Sequence, residues 1–247
     1  MRHENSSRGF KKPIMKIFAI SDLHLSINNP KPMDIFGPVW DNYVDKIFAD
    51  WKEKVGEEDL VLLAGDFSWA MKLEEAIADF KLLENLPGKK IIIRGNHDYW
   101  WKSISAVRGV LPYGFYAIQN DALKFGNVVI CGTRGWIVPE RNGSLSDENK
   151  KIYDREVLRL DLTLQAASKL REEGDKLICM LHYPPTNFTK DDNEFTSAIE
   201  KNKVDEVVFG HLHGYKRAEP TYTKNNVKYF LTSCDMVDNK LVLIDEV

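Results

Sequence analysis

The sequence predicts a mixed domain of α-helices and β-strands, α+β in content and of the α/β type in its first half. Short apolar runs of strand length alternate with longer segments in which apolar residues recur at helical spacing. In the first half, each apolar run also ends in polar residues. Because ligands bind at the carboxyl ends of strands in open α/β sheets, this pattern predicts a site at one edge of the fold.

The first half of the chain alternates between strands and helices. Predicted strands cover residues 15–21, 59–64 and 90–94, and predicted helices cover residues 39–54 and 73–85. The first helix has its aliphatic and aromatic residues at helical spacing, and the second ends before a Pro-Gly pair.

The rest of the chain contains shorter β runs. Residues 115–118, 122–125 and 128–131 are separated by Asn-Asp and Gly-Asn pairs, which is typical of antiparallel hairpins. A loop rich in Gly, Pro and Arg covers residues 132–146 and is long enough to act as a lid, although an ordinary surface excursion fits equally. The remaining predicted elements are a long helix at 147–173, a strand at 176–181, a short helix near 195–201, a strand at 206–210, and β runs at 228–232 and 241–244.

The length and charge of the chain limit its organisation and its partners. It has 247 residues, enough for one large domain. We expect a single domain over residues 15–247, preceded by a polar, flexible tail over residues 1–14. The formal net charge is -3, so no overall field attracts nucleic acid, and we do not expect a nucleic-acid partner.

The distribution of apolar residues and cysteines indicates a compartment. No apolar run approaches the roughly 18–20 residues of a membrane helix, so we expect no membrane partner. No run of signal-peptide length follows the basic residues near the N-terminus. Cys131, Cys179 and Cys234 are odd in number and far apart, which favours buried reduced thiols. Together these features predict a cytoplasmic protein.

The placement of the histidines is the strongest indication of function. Of the six histidines, only His3 lies in the predicted tail. A histidine used only in packing has no reason to prefer strand ends, yet the other five all follow predicted strands beside Asp, Asn or Gly. They are His24, His97, His182, His211 and His213.

Two pairs of these side chains have the spacing of metal ligands. Asp22 and His24 are separated by one residue, as are His211 and His213. In an extended chain, side chains at i and i+2 point to the same side, so both members of a pair could reach one ion.

Three further motifs follow strands. Asp66 comes after Gly65, which permits a tight turn, and its carboxylate could bridge two cations. Asn96 and His97 share a turn, and His182 ends another strand. Taken alone, a Gly-Asp pair is common and His182 would more often be a hydrogen-bonded, partly buried histidine. The joint occurrence predicts a bound metal pair, and the imidazole, carboxylate and amide donors favour Mn²⁺, Fe or Zn²⁺.

In this order, the motifs Asp-x-His, Gly-Asp, Gly-Asn-His-Asp, His and Gly-His-x-His resemble the calcineurin-like metallophosphoesterase superfamily. The resemblance spans residues 22–213, and the runs at 31–37 and 65–71 are similar to small bacterial predicted phosphohydrolases of that superfamily. It implies a four-layer αββα sandwich, in which helices flank two facing mixed β-sheets.

The resemblance also implies what each site residue does. One metal ion would be held by Asp22, His24, Asp66 and His213. The other would be held by Asp66, Asn96, His182 and His211, with Asp66 bridging, and His97 would be the catalytic residue that acts on the phosphate. The implied reaction is hydrolysis of a small phosphate ester, with a metal-bridging hydroxide as nucleophile. The ester could be a monoester or a diester, and nucleotide-like esters are included.

One departure separates this chain from the protein-phosphatase branch of the superfamily. There, the Gly-Asp motif is followed by an aspartate that pairs with the catalytic histidine and then by a phosphate-binding arginine. Trp69 and Ala70 occupy those places here, so a protein phosphatase is disfavoured. Arg94, ahead of the Gly-Asn-His motif, is expected to form a structural ion pair.

Residues outside the five motifs are candidates for substrate contact. Arg134 could bind a phosphate or a carboxylate. Tyr99 and Tyr183 could offer aromatic surfaces. Tyr99 also begins a run with Trp100 and Trp101 that could stack on a nucleobase, although packing in the core is the favoured interpretation.

Two other functions are alternatives to a phosphoesterase. A non-catalytic binding scaffold of the same fold is opposed by the intact Gly-Asn-His-Asp motif and the complete ligand set. A nuclease acting on DNA ends is opposed by the net charge of -3 and by the lack of an added capping domain.

Overall fold

The computed structural model describes residues 14–214 and 219–247 of the chain. The flexible tail predicted for residues 1–14 therefore lies, except for Ile14, outside the described residues. Within the described ranges, no helix has both the length and the apolar character that crossing a membrane requires.

The first sheet is mostly parallel. Its strands are β1 (Lys16–Ile20), β2 (Leu60–Leu63), β3 (Lys89–Ile92), β4 (Phe115–Ala117) and β11 (Val242–Glu246). They lie in the order β11-β1-β2-β3-β4. The strands β1 to β4 are parallel, and β11 pairs with β1 in the antiparallel direction.

The second sheet has a parallel centre and antiparallel edges. Its strands are β5 (Asp121–Phe125), β6 (Val128–Thr133), β7 (Lys176–Leu181), β8 (Glu206–Phe209), β9 (Thr221–Lys224) and β10 (Val227–Leu231). The order is β5-β6-β7-β8-β10-β9. Only the edge strands β5 and β9 run against their neighbours.

Helices cover the outer face of each sheet. The first sheet is covered by α1 (Tyr43–Lys54), α2 (Leu73–Leu83) and α3 (Ile104–Arg108), and the second by α4 (Asp147–Leu170) and α5 (Glu194–Lys201). Side chains alternate between the two faces of a strand. In β1, Ile17 and Ala19 pack against the second sheet, whereas Phe18 and Ile20 pack under the helices. Three apolar layers result, which confirms the predicted four-layer sandwich.

The predicted chain of hairpins between residues 115 and 131 is wrong in its first part. Strands β5 and β6 form a hairpin, but β4 joins the first sheet, where Tyr116 is paired with Ile91 of β3 in parallel. Helix α3 lies between β3 and β4 and provides the crossover that a parallel pair requires. The chain then passes to the second sheet near Asn120, whose backbone φ is 59°.

Two smaller differences concern residues 39–54 and the strand β9. The predicted helix begins only at Tyr43, because Asn42 adopts a left-handed φ of 51° that separates it from a 3-10 turn at Pro38–Trp40. Strand β9 was not predicted, since its residues are exposed or half-buried and contain no apolar run.

Candidate metal centre

The residues of the five motifs converge at one edge of the sandwich, although they come from both sheets. Each set follows a parallel strand and lies at its carboxyl end. In chain order these are Asp22 and His24 after β1, Asp66 after β2, Asn96 and His97 after β3, His182 after β7, and His211 and His213 after β8.

Asp22, His24 and His213 form one potential ligand group. Their candidate ligand atoms all lie within 4.8 Å of one another. His213 Nε2 is 3.4 Å from Asp22 Oδ1. Asp22 and His24 are buried, and His213 is half-buried, so the group opens outward on the side of His213.

A second potential group contains Asp22, Asp66 and His182, again with ligand atoms within 4.8 Å of one another. His182 Nε2 is 2.6 Å from Asn96 Oδ1. Asp66 Oδ2 lies 3.5 Å from His182 Nε2 and 3.9 Å from His24 Nε2, so it stands between the two groups. The ring of His211 is 5.1 Å from that of His182.

The backbone at four of these residues is left-handed. The φ angles are 59° at Asp22, 46° at His24, 51° at Asp66 and 71° at His211. Such conformations cost about 1–3 kcal/mol for a residue other than glycine and are found where the surrounding structure enforces them. The assumption of an extended chain at Asp22–His24 is therefore wrong, although the two side chains do meet. The expectation that His211 and His213 reach one ion is also wrong, because His213 lies beside Asp22 whereas His211 lies beside His182.

The two carboxylates of the cluster are deeply buried, at 0% and 1% exposure for Asp22 and Asp66. Among the described residues, their ion-pair partners are histidines, without any Lys or Arg. Burial, and then repulsion from Asp22 and Asp98, raise the pKa of Asp66 well above its usual value. Burial acts the same way on Asp22, but the His213 hydrogen bond and nearby histidine charges outweigh it and lower that pKa.

Three of the histidines are held in the neutral form. Burial lowers the pKa of His24 and His182 to about 3 and that of His211 to about 4. Neutral imidazole is the form that ligates metal ions. Burial also disfavours charge on His213, but hydrogen bonds to Asp22 and Asp235 raise its pKa to about 10.

Asp98 ties together two of the loops that carry the cluster, a role that the sequence analysis missed. Its carboxylate accepts hydrogen bonds from the backbone N–H groups of Gly95 at 2.7 Å, Phe67 at 2.9 Å and Ser68 at 3.2 Å. The acidic residue after Gly-Asn-His was the available indication. A Cβ atom on Gly95 would lie 2.1 Å from Asp66 Oδ1, so only glycine fits there.

Other missed residues orient the ligands themselves. Asp235 Oδ1 accepts a 2.8 Å hydrogen bond from His213 Nδ1. The backbone carbonyl of Ala64 lies 3.0 Å from His182 Nδ1. Partners of this kind fix the tautomer and leave the other ring nitrogen for a metal ion. No motif includes Asp235, which lies 22 residues from His213 in the sequence.

His97 lies beside the cluster in an aromatic and cationic setting. Its backbone N–H donates to Asp66 Oδ1 at 2.7 Å, and its ring Nδ1 has no hydrogen-bond partner among the described residues. Trp69, at the place of the missing dyad aspartate, stacks on His24 at 4.7 Å and lies 4.6 Å from the His97 ring. Lys31 Nζ lies 4.0 Å above the centre of a Trp69 ring. Lys31 thus places a positive charge near His97.

The candidate substrate residues have different positions. Tyr99 is 50% exposed with its ring 6.0 Å from that of His97, and the buried Tyr183 ring is 4.1 Å from that of His211. Trp100 and Trp101 pack in the core, which agrees with the favoured interpretation of their sequence run. The Arg134 guanidinium is directed to Glu156, 3.2 Å away, and lies over the Trp136 ring. The ion pair expected for Arg94 does not form in the described part of the chain, where its Nε is buried without a partner.

The donor set fits divalent cations. Isolated buried carboxylates are costly, and here the described residues supply no Lys or Arg to neutralise Asp22 and Asp66. Neutral imidazoles, carboxylates and the Asn96 amide oxygen are suitable ligands for Mn²⁺, Fe or Zn²⁺. The fold and this donor set together define a protein with candidate sites for divalent cations at the carboxyl edge of a two-sheet sandwich.

The family model for calcineurin-like phosphoesterases matches residues 15–215, most of the chain. The protein therefore belongs to the calcineurin-like phosphoesterase family, whose reaction class is metal-dependent hydrolysis of phosphate esters. Among curated proteins, none matches the sequence.

Solved structures share the fold at low sequence identity. TT1561 of Thermus thermophilus has a TM-score of 0.51 at 13% identity, over 94% of this chain and 99% of that one. AQ665 from Aquifex aeolicus, a protein of unknown function, has a TM-score of 0.50 at 13% identity, over 93% and 95%. An archaeal phosphodiesterase has a TM-score of 0.44 at 13% identity, over 93% and 99%. The first two similarities support the fold.

Proposed function

We propose that the protein hydrolyses small phosphate esters with two divalent cations, Mn²⁺, Fe or Zn²⁺, and that His97 takes part in the reaction. The observation that carries the proposal is the pair of buried carboxylates, Asp22 and Asp66. They face imidazoles and have no Lys or Arg partner among the described residues. Membership of the family supports the same class of reaction.

The geometry supports a division of the ligands between two cations. One cation would be held by Asp22, His24 and His213, whose ligand atoms lie together. The other would be held by His182, by Asn96, whose oxygen is 2.6 Å from His182 Nε2, and by His211, whose ring is 5.1 Å from that of His182. Asp22 also lies within reach of Asp66 and His182. Asp66 would contribute to both sites, because one of its oxygens lies 3.5 Å from His182 Nε2 and 3.9 Å from His24 Nε2. When bound, two such cations supply positive charge for the phosphate and lower the pKa of a coordinated water.

His97 would assist the departure of the leaving group. Its half-buried ring borders the cluster. A 2.7 Å hydrogen bond from its backbone N–H to Asp66 Oδ1 fixes the position of the backbone. Burial lowers the pKa of His97, an effect that Asp22 opposes and Lys31 supports. An imidazole at this position can move a proton to or from the leaving oxygen, which typically contributes about 10²–10⁴-fold to a rate.

We also propose a cytoplasmic location. Cys131, Cys179 and Cys234 are all free and buried, as expected for a protein in a reducing compartment.

The test is an assay of the purified protein, stripped with chelator and reloaded with Mn²⁺, on bis-p-nitrophenyl phosphate and p-nitrophenyl phosphate in parallel. We expect release of p-nitrophenolate that depends on the added cation and falls by about 10²-fold or more in His97→Ala. Metal content measured on both proteins should be the same, because His97 is not a proposed ligand. The preferred ester would separate a diesterase from a monoesterase.

Two outcomes would contradict the proposal. If the reloaded protein binds two cations but hydrolyses neither ester with Mn²⁺, Fe²⁺ or Zn²⁺, the binding scaffold becomes the better account. If turnover persists unchanged in His97→Ala, the assignment of His97 is wrong while the hydrolase remains.

A further inference from the structure

A cavity of about 690 Å³ lies directly beside the candidate metal centre. One wall is the loop at residues 137–146, and the others are the turn at residues 183–190 and the ends of three strands of the second sheet. Its volume is in the range of pockets that hold small organic ligands, roughly 300–1,000 Å³. The apolar side chains that dominate its lining include Ile137, Leu145, Phe188, Phe209, Leu212 and Tyr222.

The cavity is continuous with the cluster. His211 and Tyr183 both line it, and their rings are 4.1 Å apart. The His211 ring is also 5.1 Å from the ring of His182, which lies in the cluster. The cavity therefore lies within reach of an ester group on a phosphate bound at the metal centre.

Several polar side chains of the lining already have hydrogen-bond or ion-pair partners within the protein. The Thr186 and Tyr222 hydroxyls are 2.7 Å apart, and Lys190 forms an ion pair with Glu219. The Asn187 amide donates to Pro139 O and Asp191 Oδ2, each at 3.0 Å, and its oxygen accepts from Asp191 N at 3.0 Å. A nucleobase needs hydrogen-bond partners, whereas these groups already have theirs.

The loop that forms the outer wall is anchored in place. The Asn187 amide donates to Pro139 O at 3.0 Å and Arg141 Nε lies 3.2 Å from Asp191 Oδ1, so the loop is joined to the turn and to the residue that follows it. At the mouth, Ile137 is 44% exposed and Phe188 is 54% exposed. Exposed apolar side chains around a pocket of this kind are typical of a binding surface.

We propose that this cavity binds an uncharged apolar group, alkyl or aryl, carried by the phosphate ester that the protein hydrolyses. The inference rests on the proposed function and narrows its substrate class from small phosphate esters in general to esters with a hydrophobic substituent. The loop at residues 137–146 then forms a pocket wall that sets substrate specificity, rather than a free surface excursion.

The experiment compares diesters that share p-nitrophenolate as the leaving group and differ in the second ester group. Methyl, hexyl and thymidine 5′ p-nitrophenyl phosphates are assayed on the Mn²⁺-loaded protein. Because each buried methylene contributes about three- to fourfold, we expect kcat/KM for the hexyl ester to exceed that for the methyl ester by about tenfold or more. Equal values for the two esters, or a preference for the thymidine ester, would overturn the proposal and leave the hydrolase intact.

Variants locate the effect. Ile137→Asn should reduce the ratio of kcat/KM for the hexyl ester to kcat/KM for the methyl ester several-fold. Leu243→Asn is the matched control, since Leu243 is 46% exposed on β11, in the other sheet, and should preserve the preference. An unchanged preference in Ile137→Asn would show that the hexyl group binds elsewhere.

A binding measurement separates this inference from the proposed function. Calorimetry of the Mn²⁺-loaded protein with hexylphosphonate and methylphosphonate requires no turnover. A protein that hydrolyses no ester could still bind hexylphosphonate about tenfold more tightly than methylphosphonate, with the difference lost in Ile137→Asn. That result would support the apolar pocket and contradict the proposed hydrolase activity. Equal binding of both phosphonates would overturn the pocket.

Discussion

Acidic side chains at the two ends of the parallel strands have different partners. At the amino ends, most acids are matched by a basic side chain or by backbone N–H groups. Asp205 pairs with Arg171 at 2.9 Å, and Asp245 pairs with Lys176 at 2.9 Å. Asp59 accepts hydrogen bonds from two backbone N–H groups at 2.7 and 2.8 Å.

At the carboxyl ends, backbone N–H groups of His211 and His97 donate to Asp22 and Asp66, but no basic side chain among the described residues pairs with either carboxylate. Asp22 and Asp66 are more deeply buried than those acids, and the described residues around them offer imidazoles instead of Lys or Arg. The protein has 34 Lys and Arg residues in total, so basic side chains are not scarce. The contrast indicates that the charge missing at the carboxyl edge is to be supplied by cations from outside the chain.

The substitution Asp66→Asn tests this difference between the two ends most directly. Loss of a residue that supports a ligand typically costs about 10–100-fold in activity or metal affinity, so loss of a shared ligand should cost about 10³-fold or more. The metal-free variant should unfold at the same temperature as the wild type or higher, because burial and repulsion already raise the pKa of Asp66. Mn²⁺-dependent hydrolysis and thermal melts with and without metal measure the two effects. A variant that loses stability in the metal-free state but keeps its activity would reverse the comparison.

Asp235→Asn tests whether the outer partner of a ligand matters. Asp235 holds His213 Nδ1 at 2.8 Å, so the substitution should weaken the orientation of His213 and lower metal affinity or activity by about 10–100-fold. Titration of the stripped protein with Mn²⁺ should move the activation curve to higher concentration. If only the maximal rate changes, Asp235 acts on a step other than metal binding.

Substitutions of Lys31 test whether its positive charge near His97 contributes to the reaction. Lys31→Met keeps the length of the side chain and removes the charge that lies over Trp69. We expect kcat/KM to fall by about two- to fivefold, since exposed charges contribute up to roughly 1 kcal/mol. Lys31→Arg should retain most of the activity. A fall in both variants alike would point to packing on Trp69 rather than to charge.

Glu206 is the exception at the amino ends and gives the smallest expected effect. It is buried, neither of its oxygens has a hydrogen-bond partner among the described residues, and Lys228 is 3.8 Å away. Burial and the charge of Asp245 raise the pKa of Glu206 from 4.5 to about 7. Since the unfolded chain ionises first, this group lowers the stability of the fold as pH rises from about 4.5 to about 7.

Glu206→Gln should therefore raise the melting temperature at pH 8 by about 2–4 °C, roughly 1 kcal/mol for a chain of this size. The difference should shrink towards pH 4.5, and hydrolysis should be unaffected. Thermal melts across this pH range provide the measurement. A variant that is destabilised at pH 8 would mean that the ion pair with Lys228 outweighs the cost of burial.

Most helices and strands and all of the candidate ligands could be identified from the amino-acid sequence alone. Apolar runs and helical spacing follow from local chain chemistry, so most strands and helices were located, and the polar residues after β1, β2, β3, β7 and β8 were recognised. Local patterns do not specify partners, however. The run at residues 115–118 was paired with the wrong neighbour, because an edge strand looks the same beside either sheet.

The contacts around the candidate residues depend on the tertiary structure, although the family resemblance already implied how the ligands are divided. The fold gives His24 and His211 a left-handed backbone, and it places Asp98, Asp235 and Lys31 around the cluster. It also directed Arg134 to Glu156 and formed the cavity beside His211. These outcomes depend on contacts between residues far apart in the chain, where packing, burial and electrostatics act through space, and no spacing along the sequence encodes them.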